Sequence, residues 1–340
     1  MAAEAANAGA EVNDATGGSN GVEHKEEWVT NSRGMKLMSA SWVPANRPLK
    51  ALILLLHGYG FDCTTYFQAT AERLASEGYG VYGIDFEGHG RSEGLSVFIP
   101  DFNTLVDDSL ASEGLSVFIP DFNTLVDDSL AYFAPIRERP EHQSIPKFLC
   151  GESMGGAVAL CIHRKQPDQW DGAIFMAPMC KISAKVRPPA ILVQLVQGLA
   201  YVLPTWQIVP SADIVTSSIR DPEKLKKIAA SPYTYRARPR MRTALTMLHA
   251  SQDAERTLDQ VSLPFLLLHG DADIVTELEG SQALYDKARS EDKTFKVYKD
   301  AWHLLTEGEP EETAEEVLRD MIGWLDERSQ RKSTSEQAKA

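Results

Sequence analysis

The feature that most constrains this chain is Gly151-Glu152-Ser153-Met154-Gly155-Gly156, set between the apolar stretch 147–150 and the helix-patterned stretch 157–166. A serine hydroxyl is a weak nucleophile. To react, it must stand exposed on a sharp strand-to-helix turn, beside a base and beside backbone N–H groups that catch a developing oxyanion. In G-x-S-x-G, Gly151 and Gly155 leave room where side chains would collide as the strained turn packs, and the helix that follows aims its positive end at the forming charge. A Gly-rich turn with a bystander serine is the bland alternative. Strand pattern before the motif and helix pattern after it favour the nucleophile elbow, with Ser153 as the candidate nucleophile.

An elbow of this kind needs a sheet to stand on, and the chain supplies one. Residues 26–30 and 35–43 flank Asn31-Ser32-Arg33-Gly34, a hairpin turn with Gly where positive φ is required. The run at 51–56 is continuously aliphatic, as in a strand buried on both faces, and ends in His57-Gly58-Tyr59-Gly60. Helix is expected at 65–76, strand at 79–85, and a loop at Gly88-His89-Gly90-Arg91-Ser92. Beyond the elbow, strands are expected at 171–177, 264–268 and 294–298, and helices at 277–289 and 311–327. Alternation at this spacing implies right-handed crossovers and an α/β fold with a mostly parallel central sheet and helices on both faces. From 181 to 261 the strand rhythm gives way to helical, proline-containing sequence, which is how an inserted helical cap looks. The expected organisation is therefore a tail at 1–25, a core at 26–180 and 262–327, a cap at 181–261, and a tail at 328–340.

Residues 92–111, SEGLSVFIPDFNTLVDDSLA, recur unchanged as 112–131. Helix is expected from about 101 to 110, and Pro100, Gly114 and Pro120 stop the copies from fusing. A fused helix would also fail, because 20 residues at about 100° each rotate the apolar face by roughly 200°. Only the second copy continues its apolar stripe, through Phe122, Leu125, Val126, Leu130, Phe133 and Ile136. The second copy is therefore expected against the sheet and the first as a surface insertion. Two units are too few for a repeat architecture.

Composition excludes several function classes. With 43% hydrophobic residues, 340 residues can bury a sizeable core. A net charge of −14 and a pI near 5.1 speak against a nucleic-acid partner. Cys63, Cys150, Cys161 and Cys180 lack paired spacing and are expected to be reduced and buried. No charge-free run of about 20 apolar residues is present for a membrane span. The first 25 residues carry no signal-like apolar run, so the cytoplasm is the expected location. The residues leave the oligomeric state open.

The base and the orienting acid should come later in the chain, at the sheet edge where the elbow opens. His303, in Asp300-Ala301-Trp302-His303, stands just beyond the last strand and is the candidate base. His57, His89 and His269 are each followed by Gly and read as turn histidines bonded to backbone; His163 and His249 sit on helix patterns. Asp271 and Asp273 both follow the strand at 264–268, and spacing alone does not choose between them. His269, Asp271 and Asp273 also alternate like metal ligands, but no further ligands cluster near them, so neither metal nor cofactor is expected. The turn at 57–60 is placed to supply one oxyanion donor, the backbone N–H of Tyr59, and Met154 the other.

Taken together, GESMGG, HGYG, GHGRSEG, APMCK, HGDADIVT and AWH followed by GEP resemble the plant monoacylglycerol lipase and caffeoylshikimate esterase group of α/β-hydrolases, which carry a serine aminopeptidase S33-type hydrolase domain. The resemblance runs from about residue 26 to 327. It implies a Ser153, Asp273, His303 triad and favours Asp273, because the family's acid is the Asp of the Ala-Asp pair. It also implies a cap over an acyl pocket. The chain departs from the group in its duplication and in Leu304-Leu305-Thr306, where relatives carry a small residue first.

The candidate cap holds no charged residue from 188 to 212. Ile191, Leu192, Leu195, Leu199, Val202 and Leu203 form an apolar face against Gln194, Gln197 and Tyr201. A helix of about 15 residues spans about 22 Å, too short for a bilayer but suited either to lie on a lipid surface or to pack over the domain. Ile191, Leu195 and Leu199 are the candidate substrate-contacting residues. Arg236, Arg238, Arg240 and Arg242 read as a solvated basic face, with a phosphate head group as the alternative. The expected activity is hydrolysis of a monoacyl lipid ester, foremost monoacylglycerol. Esterase activity on small aromatic esters such as caffeoylshikimate, lysophospholipase activity, and a catalytically impaired binding protein are the alternatives.

Overall fold

The structure, a computed structural model, describes residues 17–19, 21–94, 122–181, 190–207 and 213–337. Its elements in order are β1 (Gly17–Ser19), β2 (Val22–Thr30), β3 (Lys36–Pro44), β4 (Ala51–Leu56), α1 (Gln68–Ser76), β5 (Tyr79–Ile84), α2 (Asn123–Arg137), β6 (Lys147–Glu152), α3 (Met154–Lys165) and β7 (Gly172–Met176). Then come α4 (Ala190–Val202), α5 (Ile214–Ser218), α6 (Pro222–Ala230), α7 (Met241–Arg256), β8 (Phe265–Gly270), α8 (Leu278–Lys287), β9 (Lys293–Tyr298) and α9 (Glu311–Gln337). The described strands form one sheet in the order β1-β2-β3-β5-β4-β6-β7-β8-β9. Pairing is antiparallel from β1 to β5 and parallel from β5 through β9. This is the α/β architecture expected from the alternating pattern.

Strand β4 shows why the central runs are aliphatic throughout. Successive side chains point to opposite faces. Ile53 and Leu55 join the layer that includes Phe67 and Leu74 of the α1 region and Val317, Met321 and Trp324 of α9. Leu52, Leu54 and Leu56 join the opposite layer, with Val126 and Phe133 of α2 and Val158 and Ile162 of α3. All six β4 residues are 0% exposed, and burying each large one contributes about 1.5–3 kcal/mol.

Several boundaries differ from expectation. β1 and β2 begin inside the stretch expected as an N-terminal tail, because the hairpin ladder continues until Val22 pairs with Pro44. At the other end α9 runs on to Gln337 rather than stopping at 327. Its extension is anchored by Arg328, which lies 4.2 Å over the Trp324 ring and pairs with Asp292.

The duplication is divided between its copies. Residues 92–94 of the first copy are tied into the core: the Ser92 hydroxyl donates to the Asp85 carbonyl at 2.6 Å and accepts from the Met38 N–H at 2.9 Å, and the Gly88 N–H donates to the Glu93 carbonyl at 2.9 Å. The surface insertion expected for the whole first copy thus excludes its first three residues, which close the loop after β5. α2 is built from the second copy and its continuation, with Phe122, Leu125, Val126, Phe133 and Ile136 buried. The helix expected at 101–110 lies outside the described residues.

Between β7 and β8, α4 packs on α7 through Val193, Val196, Ala200 and Leu203, against Met241, Leu245 and Leu248. The opposite ridge carries Ile191, Leu195 and Leu199, which are 67%, 65% and 41% exposed. The helix is apolar nearly all round, so composition could not say which side faces inward. Among the described residues no helix is long and apolar enough to cross a membrane.

Candidate active site

β6 ends at Glu152 and α3 begins at Met154, leaving Ser153 alone in the turn with φ 54° and ψ −116°. A non-glycine residue there costs on the order of 1–3 kcal/mol and persists only when its surroundings hold it. They do so through backbone bonds: the Ser153 N–H donates to the Met176 carbonyl at 3.0 Å, and the Ser153 carbonyl accepts from Gly156 at 3.0 Å and Met179 at 2.9 Å. The glycines are required by contact. A Cβ on Gly155 would lie 2.1 Å from the Leu56 carbonyl oxygen, and one on Gly151 would lie 2.4 Å from the Gly155 oxygen.

That close approach brings the turn after β4 over the elbow, where a Cβ on Gly58 would sit 3.4 Å from that of Ser153. Among the described residues the backbone N–H groups of Tyr59 and Met154 donate no hydrogen bond, so both are free for an incoming oxygen.

The structure brings His303 and Asp273 together at the ends of β9 and β8. His303 Nδ1 lies 2.7 Å from Asp273 Oδ2, and the two side chains are 1% and 0% exposed. Asp271 is exposed and turns the other way, accepting from the Asp300 N–H at 2.6 Å. Burial alone would raise Asp273, but the charge of His303 and hydrogen bonds from His269 and His303 hold it well below the usual carboxylate range. Burial alone would lower His303, yet the Asp273 charge and bond, with a contribution from Glu152, raise it above the ordinary imidazole value. An imidazole with Nδ1–H held by a buried carboxylate offers Nε2 as a base. Nε2 makes no hydrogen bond among the described residues.

Two further side chains pack at this site without a distinctive mark in the sequence pattern. Thr276 donates its hydroxyl toward Asp273 Oδ2 at 2.9 Å and the Ala177 carbonyl at 3.0 Å, and lies 3.2 Å from His303 Nδ1. Asp273 Oδ1 also accepts from the N–H groups of Val275 at 2.7 Å and Thr276 at 3.1 Å. The signal was available: Asp followed three residues later by Thr is a side-chain-capped turn. Glu152 is the second. It is fully buried, with Oε2 accepting from the Tyr66 hydroxyl at 2.8 Å and Oε1 unpartnered. Burial, reinforced by Glu307 and Asp273, pushes this carboxyl up to about 8.

The remaining strand-end histidines are bonded to backbone. His57 Nδ1 lies 2.8 Å from the Gly58 carbonyl, and Nε2 accepts from the Phe86 N–H at 2.9 Å. His89 Nδ1 lies 3.0 Å from the Glu87 carbonyl. His269 Nε2 lies 2.9 Å from the Thr276 carbonyl and Nδ1 2.8 Å from the Ser281 hydroxyl, which positions it to support Asp273. Burial lowers His57 to about 4 and His89 to about 3, so both stay neutral at ordinary pH.

A cavity of about 110 Å³ opens beside Tyr59, between the turn after β4 and the inserted segment at 213–215 and 235–239. Ile191, Leu195 and Leu199, the residues expected to contact substrate, do not line it; they stand outward on α4.

Comparison with known proteins adds the following. The family model described as "Serine aminopeptidase, S33" matches residues 47–111 and 111–311, its break falling at the junction of the two copies of the repeat. The caffeoylshikimate esterase of Arabidopsis thaliana is 35% identical over 312 residues, covering 91% of this chain and 87% of that protein. The monoglyceride lipase of Homo sapiens is 29% identical over 301 residues, covering 88% of this chain and 90% of that protein. Among solved structures, the monoacylglycerol lipase of Paleococcus ferrophilus superposes with a TM-score of 0.67 at 24% identity, covering 86% of this chain and 100% of that one. A soluble variant of the monoglyceride lipase of Saccharomyces cerevisiae, in complex with a substrate analog, gives 0.71 at 19% identity, covering 89% and 94%. At these identities the structural likeness speaks to the fold.

Proposed function

The chain belongs to the serine aminopeptidase S33 family of α/β-hydrolases, and from that premise we propose that it is a serine hydrolase of carboxylic esters, with monoacylglycerol as its substrate. The observation that carries this reading is the 2.7 Å pairing of His303 with Asp273 at the sheet edge where Ser153 is held at φ 54°. His303 Nε2 takes the Ser153 proton as the hydroxyl oxygen attacks the ester carbonyl, while Asp273 holds the imidazolium through Nδ1–H. The oxyanion is met by the N–H groups of Tyr59 and Met154. The tetrahedral adduct collapses, the alcohol leaves with the proton from His303, and an acyl-serine remains. Water, deprotonated by His303, releases the fatty acid and restores Ser153.

The segment α4–α7 acts as the cap in this reading. Ile191, Leu195, Leu199, Tyr201, Val202 and Trp206, all at least 41% exposed, favour peripheral contact with a lipid surface where monoacyl substrates reside. A second reading, hydrolysis of a small aromatic ester, is favoured by the 35% identical relative named a caffeoylshikimate esterase. Side-by-side turnover of monoacylglycerol, lysophospholipid and caffeoylshikimate distinguishes these. Ser153→Ala abolishes turnover of the preferred ester and labelling by a fluorophosphonate probe; undiminished turnover in that variant ends the proposal.

A further inference from the structure

The side chain that immediately precedes Ser153 is a buried carboxyl. Cys150 and Glu152 lie two residues apart on β6 and so point to the same face of the sheet, where Cys150 joins the layer of α1 and α9. Leu304 and Leu305, which follow His303, join that layer too. Glu152 thus stands on the side of the sheet to which the loop carrying the candidate base also packs.

Three observations give this carboxyl a task. First, Glu152 is 0% exposed, and its Oε1 has no hydrogen-bond partner among the described residues, whereas Oε2 accepts from the Tyr66 hydroxyl at 2.8 Å. A buried polar atom left unpaired calls for a reason. Second, its one partner is held firmly. The Tyr66 N–H donates to Asp62 Oδ1 at 3.2 Å, and its ring lies 4.6 Å from that of Phe61 and 4.7 Å from that of Phe67. Burial, with the charges of Glu152 and Glu307, pushes the Tyr66 hydroxyl well above its ordinary value, so it stays a donor and keeps the carboxyl in place. Third, the ionisable groups that act on Glu152 are Tyr66 before α1, His303 and Glu307 after β9 and Asp273 after β8, while Cys150 faces it from its own strand. The one cation that this set can form is the imidazolium of His303. Glu307 is answered elsewhere, accepting from the Thr70 N–H at 3.0 Å and hydroxyl at 2.6 Å and facing Lys224 and Lys227.

We propose that Glu152 is a positioning residue for the reaction, a second carboxylate that stabilises the His303 imidazolium through space while Asp273 holds it through Nδ1. The inference rests on the serine-hydrolase reading, since it acts through the base of that reaction. No proton passes from Glu152 to His303. The serine proton goes to His303 Nε2 and on to the leaving alcohol, and Glu152 changes its charge with the bulk pH. Burial pushes that carboxyl up to about 8, so its negative charge arrives in the alkaline range and adds to that of Asp273. Two groups that interact this way titrate as a pair, in two steps.

The test is the pH profile of kcat/KM for octanoylglycerol, followed as released fatty acid from about pH 5 to about pH 10. The wild-type chain is expected to rise in two steps and to reach its plateau only above about pH 8. Glu152→Gln is expected to rise in one step, to level off about one pH unit lower, and to reach a plateau about three- to tenfold below wild type. Tyr66→Phe removes a bond that favours the ionised carboxyl and should move the upper step to higher pH. A Glu152→Gln profile that differs from wild type only by a constant factor overturns the proposal. Should that variant fail to fold, Tyr66→Phe decides: an upper step that moves up supports the role, and one that stays in place overturns it. If the wild-type chain cleaves no ester, the hydrolase reading fails by itself, and the role of Glu152 is read from an NMR titration of the His303 imidazole. A midpoint about one pH unit lower in Glu152→Gln then supports the role, and an unchanged midpoint overturns it.

Discussion

Glu152→Gln tests the electrostatics of the elbow without any substrate. The Glu152 carboxyl is fully buried immediately before Ser153 and has one hydrogen bond, from Tyr66. Burial pushes it up to about 8 from an ordinary 4.5. Between those values the folded chain holds a proton that the unfolded chain has released. Stability therefore falls as pH rises through this window and levels off above the folded value. At about 1.4 kcal/mol per pH unit, the cost of burying Glu152 grows by about 3 kcal/mol from pH 6 to pH 9. Gln keeps the shape and can still accept from the Tyr66 hydroxyl, but has no proton to lose. For 340 residues, an unfolding entropy of about 2.1 cal/mol/K per residue amounts to about 0.7 kcal/mol/K. The advantage of the variant in Tm should therefore be about 4 °C larger at pH 9 than at pH 6. Melting curves of both proteins at the two pH values read this directly. An offset that is the same at both, within about 1 °C, would refute the reasoning.

Other expectations follow from the same geometry. Because Asp273 raises His303, the acid limb of kcat/KM should lie above pH 6.5, and in Asp273→Asn it should move below while kcat drops by about 10³- to 10⁴-fold; a limb unmoved by the substitution would remove Asp273 from its role. Gly155→Ala forces a Cβ against the Leu56 carbonyl and should destabilise the fold by about 3 kcal/mol in urea titration, whereas a change under about 1 kcal/mol would mean that the elbow relaxes. Deleting residues 92–111 should leave Tm equal or higher. The new junction places Ser112, Glu113 and Gly114 where Ser92, Glu93 and Gly94 now bond, and keeps α2 intact, so a lower Tm would show that the extra 20 residues are structural.

Ser153, Tyr59, Met154 and His303 could be singled out as candidates because each lies within a few residues of a pattern the sequence displays: a strand run, a glycine-marked turn, a helix start. Thr276 announces itself only as a cap three residues after an aspartate, a signal shared with many plain turns. The hairpin of 26–30 with 35–43 was legible from its turn, but its extension to Val22 opposite Pro44 was not, since residues 22–25 alternate too weakly between polar and apolar, and pairing with β3 decides it.

The sequence by itself determined what local periodicity can carry. Aliphatic runs had to become buried strands, and the glycines around Ser153 had to sit where side chains collide. Only the tertiary structure decided which aspartate faces His303, which ridge of α4 packs on α7, and that residues 92–94 of the first copy close the loop after β5. In each of these cases the competing residues are chemically alike, so composition ranks them equally. The choice is made by partners far away in the chain, whose packing admits only one of them.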